Sequence, residues 1–231
     1  MIYKTISPTE SQVGKYIDIN GDGIPEGIIF ADLAVGGKCP YGKGIYGEYE
    51  IPTIKEGLKD YIVIDEFEDK INGKQEVLAP ILDGIDRFYI MALNDVGKDE
   101  HYWYNKATFK GMIDYEETTL ETFGSGKQNT LNMIKKWNKE DYGTQNSDDM
   151  WSLIQEQVND GWFILSIDEW CAFAGQLGIT KSNYSSKGLS GWYWSSSQYG
   201  TNSAFSIYLN NGYVDNYGVN GTHCVRLAAT F

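Results

Sequence analysis

The amino-acid sequence predicts an α+β fold, and three observations carry that prediction. Residues 191–231 open with the aromatic run Trp192-Tyr193-Trp194 and close with the apolar run from Val225 to Phe231. Between them lie two Asn-Gly pairs, Asn211-Gly212 and Asn220-Gly221. Asn-Gly between alternating apolar residues signals a tight hairpin, so this tail reads as a small antiparallel sheet. Just before it, Gly161 to Leu165 reads as a strand feeding a helix that starts at a capping box, Ser166 with Glu169. Finally, 231 residues with 42% hydrophobic and 14% aromatic content are enough to bury one substantial core and speak against disorder.

Taken in order, residues 13–35 read as a strand, a tight loop and a second strand. The loop places Asp18, Asn20, Asp22 and Glu26 at alternate spacing, with Gly23 following the third. Short loops wrap oxygen ligands around Ca²⁺ in this way. It is not an EF-hand, because the position that should close the pattern with Glu is Ile29. An Asx-turn loop using Asp and Gly for turn geometry alone explains the same residues. Residues 36–50, rich in Gly and Tyr, read as loop, and Ile51 to Tyr61 as a short helix. Tyr61 to Ile64 is a strand or helix end running into the acidic patch Asp65-Glu66-Phe67-Glu68-Asp69, a solvated face. Asp86 to Leu93 reads as a buried strand. Residues 94–127 carry no clear period. The whole stretch 36–140 is expected as an insertion decorating a single domain of residues 1–231.

Gly124-Ser125-Gly126-Lys127 resembles a phosphate loop only superficially. The first glycine of that motif falls on Glu121, and Gln128 stands where Ser or Thr would hold Mg²⁺. Asn129 to Trp137 and Asp148 to Val158 read as amphipathic helices. The helix begun by Ser166 buries Trp170, Phe173, Ala174 and Leu177, and Gly178 is placed to end it.

The composition of the tail is distinctive. Of the 26 residues from Tyr199 to Cys224, 15 are Tyr, Asn, Gly or Ser, the palette of binding loops. Lys, Glu, Gln, Trp and Met are missing from this window, although they supply 52 of the 231 residues. Those five are also the residues that an Asn codon cannot reach by changes confined to its first two bases. A Gly- and Asn-rich β surface that avoids long charged side chains gives the same composition.

With Trp192-Tyr193-Trp194-Ser195-Ser196-Ser197-Gln198-Tyr199, the pair Ala204-Phe205, Asn211-Gly212 and the terminal Val225-Arg226-Leu227, the chain resembles the variable proteins of diversity-generating retroelements. Gly27 to Leu33 and Gly161 to Trp170 resemble the invariant scaffold of gut-phage members. The likeness covers both ends and is weak between residues 36 and 140. It implies a C-type lectin fold of the formylglycine-generating-enzyme subtype, in which an error-prone reverse transcriptase rewrites adenines at the 3′ end of the gene. Residues 191–231 would then be the variable region. Tyr199, Asn202, Ser203, Ser206, Tyr208, Asn210, Tyr213, Asp215, Asn216, Tyr217, Asn220, Thr222 and His223 are expected to form the exposed ligand face. Trp192, Trp194, Leu209, Val225 and Leu227 are the expected scaffold beneath it, and Arg226 a structural partner for a carboxylate.

The resemblance also touches enzymes and sugar-binding lectins. Formylglycine-generating enzymes use paired reactive cysteines, but Cys171 falls in an apolar helix stripe and Cys224 inside the variable window. His101 and His223 lie far apart along the chain, without the spacing of a metal or triad site. The Glu-Pro-Asn, Gln-Pro-Asp and Trp-Asn-Asp motifs of calcium-dependent lectins do not occur. No catalytic residue and no cofactor other than Ca²⁺ is expected. The expected partner is a protein or glycan on a cell surface. A fixed carbohydrate-binding domain is the alternative, and an enzyme the more distant one. A net charge of −13 speaks against nucleic acid. No apolar run is long enough for membrane insertion. Met1-Ile2-Tyr3-Lys4-Thr5 lacks the apolar segment of a signal peptide, so the expected location is a phage virion or a bacterial cell surface. Three widely spaced cysteines imply no disulfide framework.

Overall fold

The computed structural model describes residues 4–39, 44–81, 83–97 and 99–231, and its architecture is α+β. The N-terminal half supplies strands β1 (Lys4–Thr5), β2 (Tyr16–Ile17), β3 (Gly27–Asp32), β4 (Gly37–Cys39), β5 (Tyr49–Ile51), β6 (Tyr61–Asp69), β7 (Gly73–Pro80), β8 (Phe88–Ala92) and β9 (His101–Tyr102). The remaining strands are β10 (Phe163–Ile164), β11 (Trp192–Tyr199), β12 (Ser203–Tyr208), β13 (Tyr213–Gly218), β14 (Thr222–His223) and β15 (Leu227–Thr230). Helices α1 (Tyr115–Thr118), α2 (Gly126–Asn138), α3 (Met150–Leu153), α4 (Gln155–Asn159) and α5 (Ile167–Gln176) lie between β9 and β11.

The main sheet has eight strands in the order β1-β6-β7-β2-β3-β8-β15-β10. Its middle strand β3 is buried at all six positions, matching a continuous apolar run rather than an alternation. The sheet joins the two ends of the chain, because β15 pairs with β8 and β10. The stretch 36–140, expected as decoration, supplies β6, β7 and the interior strand β8. The acidic patch lies on β6, and its exposed Glu66 pairs with Lys74 at 2.6 Å, a surface contact that contributes little. The short helix expected over Ile51 to Tyr61 does not form. Pro52 follows the end of β5, Gly57 takes φ +79°, and the backbone amides of Ile54 and Lys59 donate to Leu33 and Ile85. The single helix expected from Asp148 to Val158 is broken at Ile154, whose ψ of 3° lies outside the helical range, into α3 and α4. No described helix is long and apolar enough to cross a membrane.

Two buried polar clusters, one around Arg87 and Asp32 and one around Glu169, hold this frame internally. Arg87 donates to both carboxylate oxygens of Asp32 (2.9 and 3.0 Å) and to the carbonyls of Ser7 and Glu10. Asp32 also accepts the amides of Gln12 and Ala34. Glu169, fully buried in α5, closes the capping box with Ser166 and accepts the amide of Gly124 at 3.0 Å. The Gly124-Ser125-Gly126 motif is therefore the entry of α2 packed on a carboxylate, not a phosphate loop. A Cβ at residue 126 would stand 2.2 Å from Glu169 Oε2 and 2.9 Å from the Ile164 carbonyl, so only glycine fits.

Burial drives the Glu169 carboxyl up to about 7, with the backbone amides of Ser166, Gly124 and Gly126 pulling the other way. A folded-state value above the ordinary 4.5 means stability is full below pH 4.5 and is lost as pH rises through about 7. The expected loss across that window is about 3 kcal/mol. Urea titrations at a series of pH values should show this slope in the wild type and a shallower one in Glu169→Gln, the remainder coming from Asp168, whose carboxyl burial also raises to about 7; equal slopes in both would refute it.

Candidate binding face

The second sheet, β11-β12-β13, is antiparallel and packs on α5. Trp170 of α5 stacks on Tyr193 (centroids 4.8 Å apart) and its indole N–H donates to the Trp194 carbonyl. The serine run explains how β11 enters its neighbours. Ser196 donates its amide to the Leu165 carbonyl, Ser197 Oγ accepts the Ile167 amide and donates to the Leu120 carbonyl, and Ser195 Oγ donates to the Phe205 carbonyl. These buried serines occupy the register irregularity between Trp194 and Gln198, where the strand bends.

The register separates two faces. Trp192↔Tyr208↔Tyr213, Trp194↔Ser206↔Asp215 and Ala204↔Tyr217 point away from α5. Trp194 and Ala204 there join a second core with Trp103 and Val225, and the exposed part of this side, here the outer side, is Trp192, Tyr213, Asp215 and Tyr217. Tyr193↔Ile207↔Val214 and Phe205↔Asn216 point to the α5 side, where Tyr193 and Ile207 join the core. On the outer side the aromatics form one cluster with His223 at its centre. His223 stacks on Trp194 at 4.2 Å and lies 5.1 to 5.7 Å from Tyr217, Trp192 and Tyr208, while Tyr208 stacks on Tyr213 at 5.2 Å. Burial holds the imidazole below its ordinary pKa, so it is neutral at pH 7.

The thirteen expected face residues fall into three groups. Tyr199, Asn202, Tyr213, Asp215, Tyr217 and Asn220 are exposed, and Ser203, Asn210, Asn216 and Thr222 are half-buried. Ser206, Tyr208 and His223 are buried, which corrects their expected exposure. Ser206 lies in the middle strand between Trp194 and Asp215, and Tyr208 is packed among Trp192, Tyr213 and His223. Tyr199, Ser203 and Asn216 lie on the α5 side rather than with Tyr213, Asp215 and Tyr217. Of the expected scaffold, Trp194, Leu209, Val225 and Leu227 are buried, whereas Trp192 is 39% exposed and belongs to the outer face. Its tyrosine partners across the sheet, Tyr208 and Tyr213, were the available signal, since directly opposed residues share a face. Arg226 donates to Asp95 at 2.5 Å, the carboxylate that also accepts Tyr193 and Ser190 hydroxyls, so it is structural.

The two Asn-Gly pairs do different work. Asn211-Gly212 closes the β12–β13 hairpin, but only Gly212 takes positive φ (84°) and both amides return to the Tyr208 carbonyl, so the turn is longer than a two-residue type I′. Asn220-Gly221 is not a hairpin turn: β14 leaves the sheet and pairs with β9. That pairing sets His223 opposite His101, bringing together two histidines that lie far apart along the chain.

In the N-terminal loop, Asp18, Asp22 and Glu26 each bring a carboxylate oxygen within 4.8 Å of the others, close enough to hold a metal ion. Each also accepts a backbone amide: Gly21 and Gly23 donate to Asp18, Ile24 to Asp22 and Ile19 to Glu26. Asn20 Oδ1 accepts the Asp22 amide. The Asx-turn geometry and the ligand set thus coexist in one loop. Cys171 is buried and its thiol pKa is pushed up by desolvation, the opposite of an activated thiolate.

Comparison with family models, with curated proteins and with solved structures finds no match to this chain.

Proposed function

We propose that this protein is a ligand-binding protein diversified by a retroelement, built as one C-type lectin-like domain with its variable region in residues 191–231. One observation carries the reading. The exposed residues of β13, Tyr213, Asp215 and Tyr217, all lie inside the window that lacks every amino acid an altered Asn codon cannot encode. Rigid tyrosines beside Trp192 and Trp194, which precede the biased window, suit a paratope-like surface, giving contact area at low entropic cost. The partner is a protein or glycan on a cell surface, and the protein works on a phage virion or a bacterial exterior. The raised pKa of the buried Cys171 thiol supports a role without catalysis.

The deciding experiment is sequencing of the gene region encoding Tyr199–Cys224 across a natural population, with its downstream flank. Substitutions confined to that region, beside a near-copy differing at adenines, are the expected result. An invariant tail without a template copy would leave a fixed lectin-like domain instead.

We also propose that Asp18, Asn20, Asp22 and Glu26 hold Ca²⁺. Calcium at about a hundred times its Kd should then stabilise the fold by about 2.7 kcal/mol. Differential scanning calorimetry with and without Ca²⁺ reads this directly, and Asp22→Asn should remove most of the gain. An unchanged melting temperature would leave the loop as turn geometry.

A further inference from the structure

Behind the three-stranded sheet, on the side away from the aromatic cluster, lies a cavity of about 440 Å³. Its size falls in the range of roughly 300–1,000 Å³ typical of small-ligand sites. Tyr46 and Cys171, both buried, and Phe205 form its apolar walls, and Glu48, Glu121 and Asp168 supply its charge. Among the described residues no Lys, Arg or His lines it. Asp168 stands in the first turn of α5, one residue before the capping Glu169, and Glu121 is tied to it through the Asp168 amide, which donates to the Glu121 carbonyl.

The spacing of these carboxylates selects the kind of cation. Among the described residues only Asp18, Asp22 and Glu26 bring three ligand atoms within 4.8 Å of one another. Glu48, Glu121 and Asp168 are therefore too dispersed to close around a metal ion, which needs oxygens about 2.3–2.6 Å from a common centre. Dispersed carboxylates beside aromatic rings instead suit a polyatomic cation that carries several N–H donors and stacks on a ring face.

We propose that this cavity binds an alkylated guanidinium or ammonium group, held by Glu48, Glu121 and Asp168 against Tyr46 and Phe205. Its electrostatics agree: burial first, then repulsion from Glu121 and Glu48, push the Asp168 carboxyl up to about 7. A bound cation draws it back toward its ordinary value, so binding releases a proton and strengthens as pH rises toward and through 7. The cavity lies on the opposite side of the sheet from Tyr213 and Tyr217. Two of its lining residues, Phe205 and Val214, belong to the window of the proposed variable region, whereas the carboxylates Glu48, Glu121 and Asp168 lie outside it, so the charge of the site does not rest on the retroelement reading.

The test is an NMR titration of the purified protein with n-butylguanidinium, with a blocked Gly-Arg-Gly peptide and with the neutral isostere n-butylurea. The signals followed are the Asp168 carboxyl carbon and the Phe205 ring. Both cations should give saturable shifts that strengthen with pH, whereas the urea should not. Asp168→Asn should weaken binding at least about tenfold, as expected for one charge-assisted contact, and flatten its pH dependence, leaving the smaller part that comes from Glu121, whose carboxyl burial also raises. Glu121→Gln, at an exposed position, should weaken binding with an unchanged melting temperature. Tighter binding of the peptide assigns the site to a basic side chain on a macromolecular partner; tighter binding of butylguanidinium assigns it to a free amine or guanidine. Absence of saturation with both cations, equal binding of the urea, or undiminished binding by both variants overturns the proposal. If the cavity binds while Tyr213 and Tyr217 prove dispensable, only the reading of the outer face fails.

Discussion

Arg87→Ala lowers the stability of the fold by about 3–5 kcal/mol, because it strands a buried carboxylate without a counter-charge. Asp32 is 1% exposed and Arg87 2%, and the pair ties β3 to the segment that enters β8 while two more guanidinium bonds reach the carbonyls of Ser7 and Glu10. One side chain thus fastens three parts of the chain that are remote in sequence. A loss of that size is a large share of the stability of an ordinary domain, so the variant should be partly unfolded at moderate temperature. The double change Arg87→Met with Asp32→Leu, which removes both charges, should recover a substantial part of the loss. Chemical denaturation of the three proteins measures this. A cost below about 1 kcal/mol for Arg87→Ala, the range of surface pairs, would show that the ion pair is not the fastening described here.

Tyr213→Ala with Tyr217→Ala should remove binding and leave the fold nearly intact. The two side chains are 44% and 48% exposed and lie on β13, the outer strand of its sheet. Truncation of a central aromatic at a binding surface typically costs about 2 kcal/mol or more, so the pair is worth about a thousandfold in affinity. Stability should change by about 1 kcal/mol or less, since what is lost is the stacking of Tyr213 on Tyr208 and the contact of Tyr217 with His223. On the proposed function, binding of fluorescently labelled variant and wild-type protein to bacterial cells, together with a melting curve, separates the two effects. Retained binding alongside a large drop in melting temperature would reverse the assignment, making these tyrosines structural and moving the ligand elsewhere. Trp192→Ala is the informative companion, because its side chain is on the same face although Tyr193 and Trp194, which follow it, are core.

Local features were the most legible. The capping box of Ser166 and Glu169 is present as expected, α5 runs from Ile167 to Gln176, and Gly178 follows its end with φ +61°. Each of these is settled by hydrogen bonds within a few residues, so the sequence itself contains both partners. The strand expected over Asp86 to Leu93 appears as β8, whose apolar run could be buried only inside a sheet. Less legible was anything that depends on the far side of a pairing. Tyr199, Ser203 and Asn216 are expected on the ligand face, yet the register turns them toward the α5 side. His223 reads as a polar residue of a loop, but β14 carries it under four aromatic rings.

By itself, then, the sequence determined the α+β class, the capped helix before the terminal sheet, the acidic loop of Asp18 to Glu26 and the biased window from Tyr199 to Cys224. Only the tertiary structure decided which residues of that window face solvent, that β6 and β7 join the main sheet, and that Glu48, Glu121 and Asp168 meet in one cavity. The reason is physical. Alternation along a strand states that two faces exist, while the choice of the covered face, and of the groups that meet across it, belongs to elements packed from elsewhere in the chain.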